Sequence, residues 1–208
     1  MSFYLDMTQY AETIEAYEDY PVETGKVLLY GSSFFRNWGY DRAKAQWKQH
    51  GGLDVVNHGF GGATVDELLY YYDRMVRPCK PSAAVLRPGH NDLTRGLTPE
   101  QAWFLTERLI AWLRTDVPGM PIVILQVFDT KKYHNAERQA LNAEYNRLMR
   151  EFAAANTGIY TLDLDPFFQN EAGELRDIFV EDGLHLTDAG YEEVAAWLSP
   201  KVAPLLKL

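Results

Sequence analysis

Apolar residues along the chain concentrate in five short runs, each followed by a turn and then an amphipathic stretch. The runs are rich in β-branched and aliphatic residues, and they cover positions 26–30, 53–57, 83–86, 122–127 and 159–164. Nearly continuous apolar runs indicate strands that are buried on both faces, whereas alternating apolar and polar residues would indicate strands with one face exposed to solvent. This order of strands and helices predicts a parallel sheet with helices on both sides.

The amphipathic stretches carry recognisable helix starts. Thr98 is followed by proline and, three residues on, by Gln101, which is the spacing of a capping box, and residues 64–67 show the same pattern. The helix after Thr98 is predicted to bury a stripe of apolar residues at helical spacing. Its members are Ala102, Leu105, Leu109 and Trp112.

The whole chain, 1–208, is predicted to be one domain, because 208 residues that are 47% hydrophobic can bury one sizeable core. Residues 1–20 are predicted to form a helical segment packed on that domain, since Tyr10, Ile14 and Tyr17 recur at helical spacing. The architecture expected is a three-layer α/β/α sandwich with a five-stranded parallel sheet in the flavodoxin-like order 2-1-3-4-5. In such sheets, reactive groups collect at the carboxyl ends of the strands.

The charge balance narrows the classes of partner. A formal net charge of -9 disfavours nucleic acid and anionic membrane surfaces, which require clusters of lysine and arginine. The acidic N-terminus lacks the features of a secretion signal, and no apolar run approaches the roughly 20 residues of a membrane span, so we expect a cytoplasmic protein. The single cysteine, Cys79, excludes an internal disulfide and is expected to be structural. Pairing with copies of the same chain stays open.

The Gly-Ser-Ser turn at 31–33 follows the first predicted strand directly and leads into a helical segment. A serine at such a place exposes its hydroxyl above the sheet edge and offers a backbone N–H to a developing oxyanion. Ser32 and Ser33 are both candidates on these grounds. A serine at a helix start is also a common N-cap, and this alternative stays open.

The turns after the second and third strands offer further hydrogen-bond donors. Gly62 lies in a glycine-rich turn, 57–64, whose backbone can approach a ligand closely. Asn91 carries a neutral side-chain amide that can meet an oxyanion without first losing a proton. Turn and cap geometry would explain either segment equally well. The glycine-rich turn lacks the spacing and the lysine of a phosphate-binding loop.

Asp182 and His185 lie three residues apart in a turn before the last amphipathic segment. This spacing permits a direct hydrogen bond, and a histidine oriented by a carboxylate is the general-base half of a nucleophilic triad. The alternative is a surface turn whose histidine caps the next helix. His58 and His90 are also expected near the crevice, but neither has a carboxylate at this spacing, and Asp92 is interpreted as a loop cap.

These four segments, in this chain order, resemble the sequence blocks of the SGNH, or GDSL-type, serine hydrolases. The resemblance covers nearly the whole chain in layout and short motifs in identity. It implies that Ser33 is the nucleophile, that Asp182 and His185 complete the triad, and that the oxyanion hole comprises the N–H groups of Ser33 and Gly62 with the amide of Asn91. Ser32 departs from the pattern, because the family motif has an aspartate there.

The resemblance further implies hydrolysis of carboxylic esters with a short, acetyl-type acyl group, acting on a small-molecule ester and needing neither a cofactor nor a metal ion. Two alternatives stay open. An acyltransferase would use the same triad and pass the acyl group to an acceptor other than water. A nonhydrolytic small-ligand-binding domain of flavodoxin-like fold would use the serine only as a cap.

Overall fold

The computed structural model describes residues 6–206. Its five strands are β1 (Val27–Gly31), β2 (Val55–Asn57), β3 (Ala83–Arg87), β4 (Ile122–Leu125) and β5 (Ile159–Leu162). All neighbouring strands pair in parallel, and the order β2-β1-β3-β4-β5 confirms the predicted flavodoxin-like sheet.

Helices follow the strands and cover the sheet on both faces. They are α1 (Ala11–Glu18), α2 (Ser33–Trp38), α3 (Tyr40–Gly51), α4 (Val65–Tyr70), α5 (Tyr72–Met75), α6 (His90–Thr94), α7 (Pro99–Asp116), α8 (Ala136–Ala155), α9 (Asp165–Phe168) and α10 (Asp188–Leu206). Short 3-10 turns lie at Arg77–Cys79 and Lys131–Tyr133.

Two apolar clusters lie on opposite faces of the sheet, as the near-continuous strand runs predicted. Leu28 and Tyr30 of β1 point into a cluster shared with α1, α4, α5, α7 and α8. Val27 and Leu29 point into the other cluster, shared with α2, α3, α9 and α10. Because side chains alternate between faces along a strand, one apolar strand supplies both cores, and the result is the predicted three-layer sandwich.

The strand register brings the candidate loops to one edge. Gly31 at the end of β1 lies opposite Arg87 at the end of β3, and Leu29 lies opposite Asn57 at the end of β2. The segments that follow these strands therefore leave the sheet side by side. This is the edge at which the sequence placed its candidate residues.

The predicted helix starts are confirmed. Thr98 Oγ1 accepts from the N–H of Gln101 at 3.3 Å, and Gln101 Oε1 accepts from the N–H of Thr98 at 2.9 Å. Thr64 forms the second capping box with Glu67. Each box satisfies N–H groups that a helix start leaves without partners.

The buried stripe predicted for α7 is partly wrong. Ala102 and Leu109 are fully buried, but Trp112 is 41% exposed and only packs edge-on against Tyr72. The core-facing side of α7 also includes Trp103, Thr106, Ile110 and Leu113. Because the helix contacts both α4 and α8, its buried side is wider than a single row and is centred away from Trp112.

The N-terminal segment is helical over Ala11–Glu18, with Ile14 fully buried, while residues 1–5 of the predicted segment lie outside the described part. The Tyr71 hydroxyl donates to the Met7 carbonyl oxygen at 2.6 Å, and the Tyr17 hydroxyl donates to the Gly59 carbonyl oxygen. The segment thus packs directly on the glycine-rich turn after β2. None of the helices found between residues 6 and 206 has the length and apolar character needed to span a membrane.

Candidate active site

Ser33 is the first residue of α2, immediately beyond the end of β1. Ser32 occupies the N-cap position but makes no side-chain cap hydrogen bond, so the structure gives no support to the capping alternative. Ser32 is only 4% exposed, whereas Ser33 is partly accessible. Because a nucleophile must be reached by its substrate, accessibility favours Ser33 over Ser32.

The glycine-rich turn after β2 is held against β1 and α2. The N–H of Phe60 donates to the carbonyl oxygen of Gly31 at 3.1 Å. A Cβ on Gly59 would lie 2.8 Å from the backbone nitrogen of Arg36, so only glycine permits this approach. Gly62 has φ of +82°, a left-handed conformation that also favours glycine. These contacts bring the turn that contains Gly62 to the sheet edge where α2 begins.

Asn91 joins the turns after β2 and β3. Its Nδ2 donates to the carbonyl oxygen of Ala63 at 2.8 Å, which leaves one amide hydrogen for another acceptor. The neighbouring Asp92 is fully buried, and its Oδ1 accepts from the N–H of Val65 at 2.9 Å, so it caps α4 rather than serving a histidine. Asn91 therefore lies beside Gly62 with a donor to spare.

The Asp182–His185 hydrogen bond anticipated from the spacing is present. His185 Nδ1 lies 2.6 Å from Asp182 Oδ2, while Asp182 Oδ1 accepts from the N–H groups of Leu184 at 2.8 Å and His185 at 2.9 Å. Partial burial by itself would raise the pKa of Asp182, but these hydrogen bonds outweigh it and lower the pKa to about 2. A carboxylate that is ionised at every physiological pH thus holds Nδ1, so Nε2 is the nitrogen that can take a proton.

Backbone hydrogen bonds fix the turn that carries this pair. The N–H of Val180 donates to the carbonyl oxygen of His185 at 2.8 Å, and the N–H of Lys132 donates to that of Gly183 at 2.9 Å. From α10, the Tyr191 hydroxyl donates to the carbonyl oxygen of Phe34, the residue after Ser33, at 3.0 Å. The helix that follows His185 is therefore packed on the helix that begins at Ser33.

Ser33 and His185 are not hydrogen-bonded to each other. Across residues 6–206, neither the Ser33 hydroxyl nor His185 Nε2 has a hydrogen-bond partner. Both side chains are partly exposed, and catalytic hydrogen bonds commonly tighten only when substrate is bound. Ser33 begins α2, His185 lies in the turn before α10, and two contacts are formed directly: the base with its carboxylate, and Asn91 with the backbone next to Gly62.

In chain order, the candidate site comprises a serine, a glycine-rich turn, an asparagine amide and a histidine oriented by a carboxylate. A family model matches the chain over most of its length. The match is to the GDSL-like lipase/acylhydrolase family and extends over residues 29–193. The chain belongs to that family. It is accordingly a carboxylic ester hydrolase of the SGNH superfamily. This membership excludes the alternative of a nonhydrolytic ligand-binding domain.

Relatives of known sequence and structure agree with this membership. Thioesterase 1/protease 1/lysophospholipase L1 of Escherichia coli K12 is 25% identical over 154 residues, which is 73% of this chain and 68% of the relative. A GDSL-like lipase from Bacteroides thetaiotaomicron superposes with a TM-score of 0.73 at 16% identity, covering 97% of this chain and 98% of that one.

A family 3 carbohydrate esterase from Clostridium thermocellum shares the same fold. Its TM-score is 0.65 at 19% identity, with 88% of this chain and 98% of that chain covered. At such identities the likeness establishes the architecture alone.

The other two histidines expected near the crevice have structural surroundings. His58 is buried, and its Nδ1 donates to the carbonyl oxygen of Met75 at 2.6 Å, so His58 lies in the core against α5 and its expected place in the crevice is wrong. Burial lowers the pKa of His58. His90 is also buried, and it lies beside Arg138 with no carboxylate partner. Neither histidine resembles the Asp182–His185 pair.

Sequence reasoning overlooked Arg87. This residue ends β3, is 5% exposed, and holds its guanidinium over the rings of Phe34 and Phe128. The available signal was a lone cation that directly follows an apolar strand and directly precedes the turn of Asn91. A charge at that place should be treated as a candidate site residue, because it stands at the carboxyl edge of the sheet.

Metal-ligating residues are dispersed in this hydrolase. In the part of the chain from 6 to 206, no three His, Cys, Asp or Glu side chains are grouped so that they could hold a metal ion. Cys79 is buried, and burial raises the pKa of its thiol to about 11, so the thiol is protonated at neutral pH.

Proposed function

We propose that this GDSL-like hydrolase cleaves short-acyl carboxylic esters through Ser33, His185 and Asp182, with a covalent acyl-enzyme intermediate. The observation that carries the proposal is the 2.6 Å contact between His185 Nδ1 and Asp182 Oδ2. It fixes the tautomer in which Nε2 is the basic nitrogen, and it favours the imidazolium that forms when Nε2 takes a proton.

The reaction would run in two halves. His185 Nε2 takes the proton of the Ser33 hydroxyl as its oxygen attacks the ester carbonyl carbon, and then returns that proton to the departing alcohol oxygen. In the second half, His185 takes a proton from water, the hydroxide attacks the acyl carbon, and Ser33 recovers its proton as the acid leaves. Protons and electron pairs balance without a metal ion or an organic cofactor.

The oxyanion formed in each half would be received by three donors. These are the backbone N–H groups of Ser33 and Gly62 and the free Nδ2 hydrogen of Asn91. A well-aimed donor of this kind typically lowers the barrier by about 3 to 4 kcal/mol. The hydrogen bond from Asn91 to the Ala63 carbonyl oxygen holds the amide beside the Gly62 turn in advance, so little reorganisation is needed.

The named relatives, one a carbohydrate esterase and one a thioesterase and lysophospholipase, support ester hydrolysis. The short acyl group is proposed from the family resemblance alone. Acyl-chain length is therefore the quantity to measure.

The test is hydrolysis of p-nitrophenyl esters from acetate to dodecanoate by the parent protein, Ser33→Ala and Ser32→Ala. We expect highest kcat/KM on the two-to-four-carbon esters and a loss of at least about 10³-fold in kcat for Ser33→Ala. Ser32→Ala is the matched control, and it should keep at least a tenth of parental turnover with a similar Tm. Full turnover by folded Ser33→Ala would refute the nucleophile assignment.

Hydrolysis and acyl transfer to another acceptor share the acyl-enzyme, so a separate measurement divides them. With p-nitrophenyl acetate and increasing methanol or glycerol, a hydrolase yields mainly acetate, whereas a transferase yields mainly the new ester. We expect acetate to dominate up to molar concentrations of alcohol.

We also propose a cytoplasmic location and a small-molecule ester as the partner. The acidic surface balance, a net charge of -9, supports the second by disfavouring nucleic acid and anionic membranes. Cell fractionation followed by immunodetection tests the location.

A further inference from the structure

Two buried hydrogen-bond donors beside the candidate active site have no acceptor among residues 6–206. Arg87 Nε and His90 Nε2 are both enclosed and unpartnered, and each residue is 5% exposed. Both belong to the segment that leaves β3 and carries Asn91. Since buried polar groups are nearly always hydrogen-bonded, two such donors in one short segment need an explanation.

Arg87 is a buried cation without a counter-charge. Within the range 6–206 its guanidinium takes part in no hydrogen bond and no ion pair; it stacks instead 4.9 Å from the ring centre of Phe34 and 4.5 Å from that of Phe128. Burial lowers the pKa of Arg87 to about 10, so the group is still charged at neutral pH. Aromatic faces repay part of the desolvation cost of a cation, but they leave the N–H donors unsatisfied.

His90 is a neutral donor. Arg138 Nη2 lies 3.1 Å from His90 Nδ1, and because a guanidinium can only donate, Nδ1 accepts and the ring hydrogen is on Nε2. Burial, together with the nearby charges of Arg87 and Arg138, holds the pKa of His90 well below its usual range. Nε2–H is therefore a fixed donor, and it is the atom left without a partner.

Both residues lie next to the proposed catalytic groups. Arg87 is opposite Gly31 in the register of β1 and β3, and its guanidinium lies over the ring of Phe34, the residue after Ser33. His185 is close enough to His90 that a charge on its ring would act on His90. The two donors therefore adjoin the site from the side of β3.

The surrounding charge is positive in an otherwise acidic protein. Arg138 bonds only to the neutral groups of Asn142, Thr94 and His90, and the exposed Lys132 is another positive charge acting on His90. Three carboxylates lie nearby, and Asp92 is directed to the start of α4, where its Oδ1 accepts from the N–H of Val65. Asp182 is bonded to His185, and Asp129 accepts from Gln139 and Asn142.

We propose that Arg87 and His90 form a subsite for a carboxylate or phosphate group carried by the ester substrate, an inference that rests on the proposed esterase function. A carboxylate or phosphate offers several acceptor oxygens to a guanidinium and an imidazole N–H at once. Each residue keeps 5% of its surface exposed, and a group bound there would neutralise the buried charge of Arg87. The anionic group would also hold the ester in register with Ser33.

The first experiment compares matched anionic and neutral esters in a pH-stat with the full-length protein. Ethyl hydrogen glutarate against ethyl valerate tests a carboxylate on the acyl side. 2-Acetoxyethyl phosphate against 2-methoxyethyl acetate tests a phosphate on the alcohol side. We expect at least one pair to favour the anionic ester by 10-fold or more in kcat/KM. Equal rates within both pairs, or preference for the neutral esters, would overturn the subsite.

The second experiment repeats the favoured pair with Arg87→Met and Arg87→Lys. Methionine should abolish the preference, so kcat/KM should fall at least 10-fold further for the anionic ester than for the neutral one, and lysine should retain most of the preference. Arg108→Met is the matched control, because Arg108 also stacks on an aromatic ring, Phe104, at 4.8 Å but on the exposed side of α7. If Arg87 had a purely structural role, its substitution would instead lower kcat/KM for both esters by the same factor.

A binding measurement keeps the subsite testable if the Arg87 variants fold poorly. Calorimetric titration of Ser33→Ala with glutarate and with inorganic phosphate should give saturable binding of at least one anion, and 1,5-pentanediol should give none. No binding of either anion would overturn the subsite. Loss of all ester hydrolysis by the parent would count against the proposed function instead, so the two failures are distinguishable.

Discussion

Two aspartates near the site, each in one of the motifs that the sequence singled out, have opposite environments. Asp92 is fully buried, its Oδ1 accepts from Val65 N–H, its Oδ2 has no partner among residues 6–206, and burial raises its pKa to about 6. Asp182 is near the surface; partial burial works against its ionisation, but hydrogen bonds from His185 and Leu184 prevail and lower its pKa to about 2.

The difference teaches which carboxylate can serve a catalytic histidine. Enclosure without donors penalises the charged form, whereas aimed donors stabilise it even at a partly wet position. Asp182 stays ionised beside His185 and can stabilise the imidazolium. Asp92 makes a structural contact between the turn after β3 and α4, and its charge costs stability. Asp92, which follows Asn91, is therefore a structural residue, whereas Asp182 is placed to assist His185 in the reaction.

The largest expected effect comes from Asp182→Asn. We expect kcat on a short p-nitrophenyl ester to fall by about 10³-fold, because an amide supports the wrong imidazole tautomer and cannot balance its charge. Asp92→Asn should change kcat less than threefold. Asp177→Asn, a change at an exposed partner of Lys131 near the same turn, is the control. Equal losses for Asp182→Asn and Asp92→Asn would end the distinction between them.

Asn91→Ala tests whether the residue next to Asp92 takes part in the reaction. Removing the amide should lower kcat by about 10²- to 10³-fold with little change in KM, because the donor acts on the charge of the transition state. Asn156→Ala is the matched control, since Asn156 Nδ2 also donates to a carbonyl oxygen, that of Phe152, at 2.8 Å. A loss confined to Tm, and equal in the two variants, would make Asn91 a structural residue.

Asp92→Asn should stabilise the protein at neutral pH. The folded-state pKa of Asp92, about 6, lies above the unfolded value near 3.8. The protonated carboxyl therefore makes its full contribution to the free energy of unfolding below about pH 4, and this contribution is lost as pH rises through 6. Urea unfolding should therefore show little difference from parent at pH 4 and a gain of about 2 to 3 kcal/mol above pH 6.5. If Asp92→Asn were less stable than parent at pH 7, the conclusion that burial penalises the ionised Asp92 carboxylate would be wrong.

The smallest effect is the stability contribution of Asp182, which should have the opposite pH dependence. Its folded-state pKa is lowered, so its contribution is present above about pH 4 and lost as pH falls towards 2. The side chain is 42% exposed, so we expect less than about 1 kcal/mol after solvent screening. Asp182→Asn should be marginally less stable than parent at pH 7 and equal to it near pH 2.5; a pH-independent difference would point to packing instead.

Local patterns carried much of the fold. Apolar runs located the strands to within about two residues because burial on both faces leaves few polar positions, and the capping box at Thr98 marked a helix start through a purely local exchange of hydrogen bonds. Trp112 was misplaced because the side of α7 that is buried depends on its neighbours α4 and α8. No local pattern contains that information.

The candidate site also combines features that local sequence determines with features that depend on tertiary packing. The Asp182–His185 pair could be predicted because its geometry is set within three residues, and the structure bears it out as a 2.6 Å contact. The contact of Asn91 with Ala63, the enclosure of Asp92 and the burial of His58 depend on how separate loops meet. Spacing along the chain does not encode those distances.

By itself, the sequence determined the order of strands and helices, the family and the carboxylate–histidine pair, since periodicity, caps and short spacings are local properties of the chain. Only the tertiary structure decided which aspartate is charged at low cost, which serine is accessible, and that Arg87 and His90 bring unsatisfied donors to the edge where Ser33 begins its helix. The physical reason is that desolvation and hydrogen bonding depend on everything packed around a group, and residues distant in sequence supply most of those surroundings.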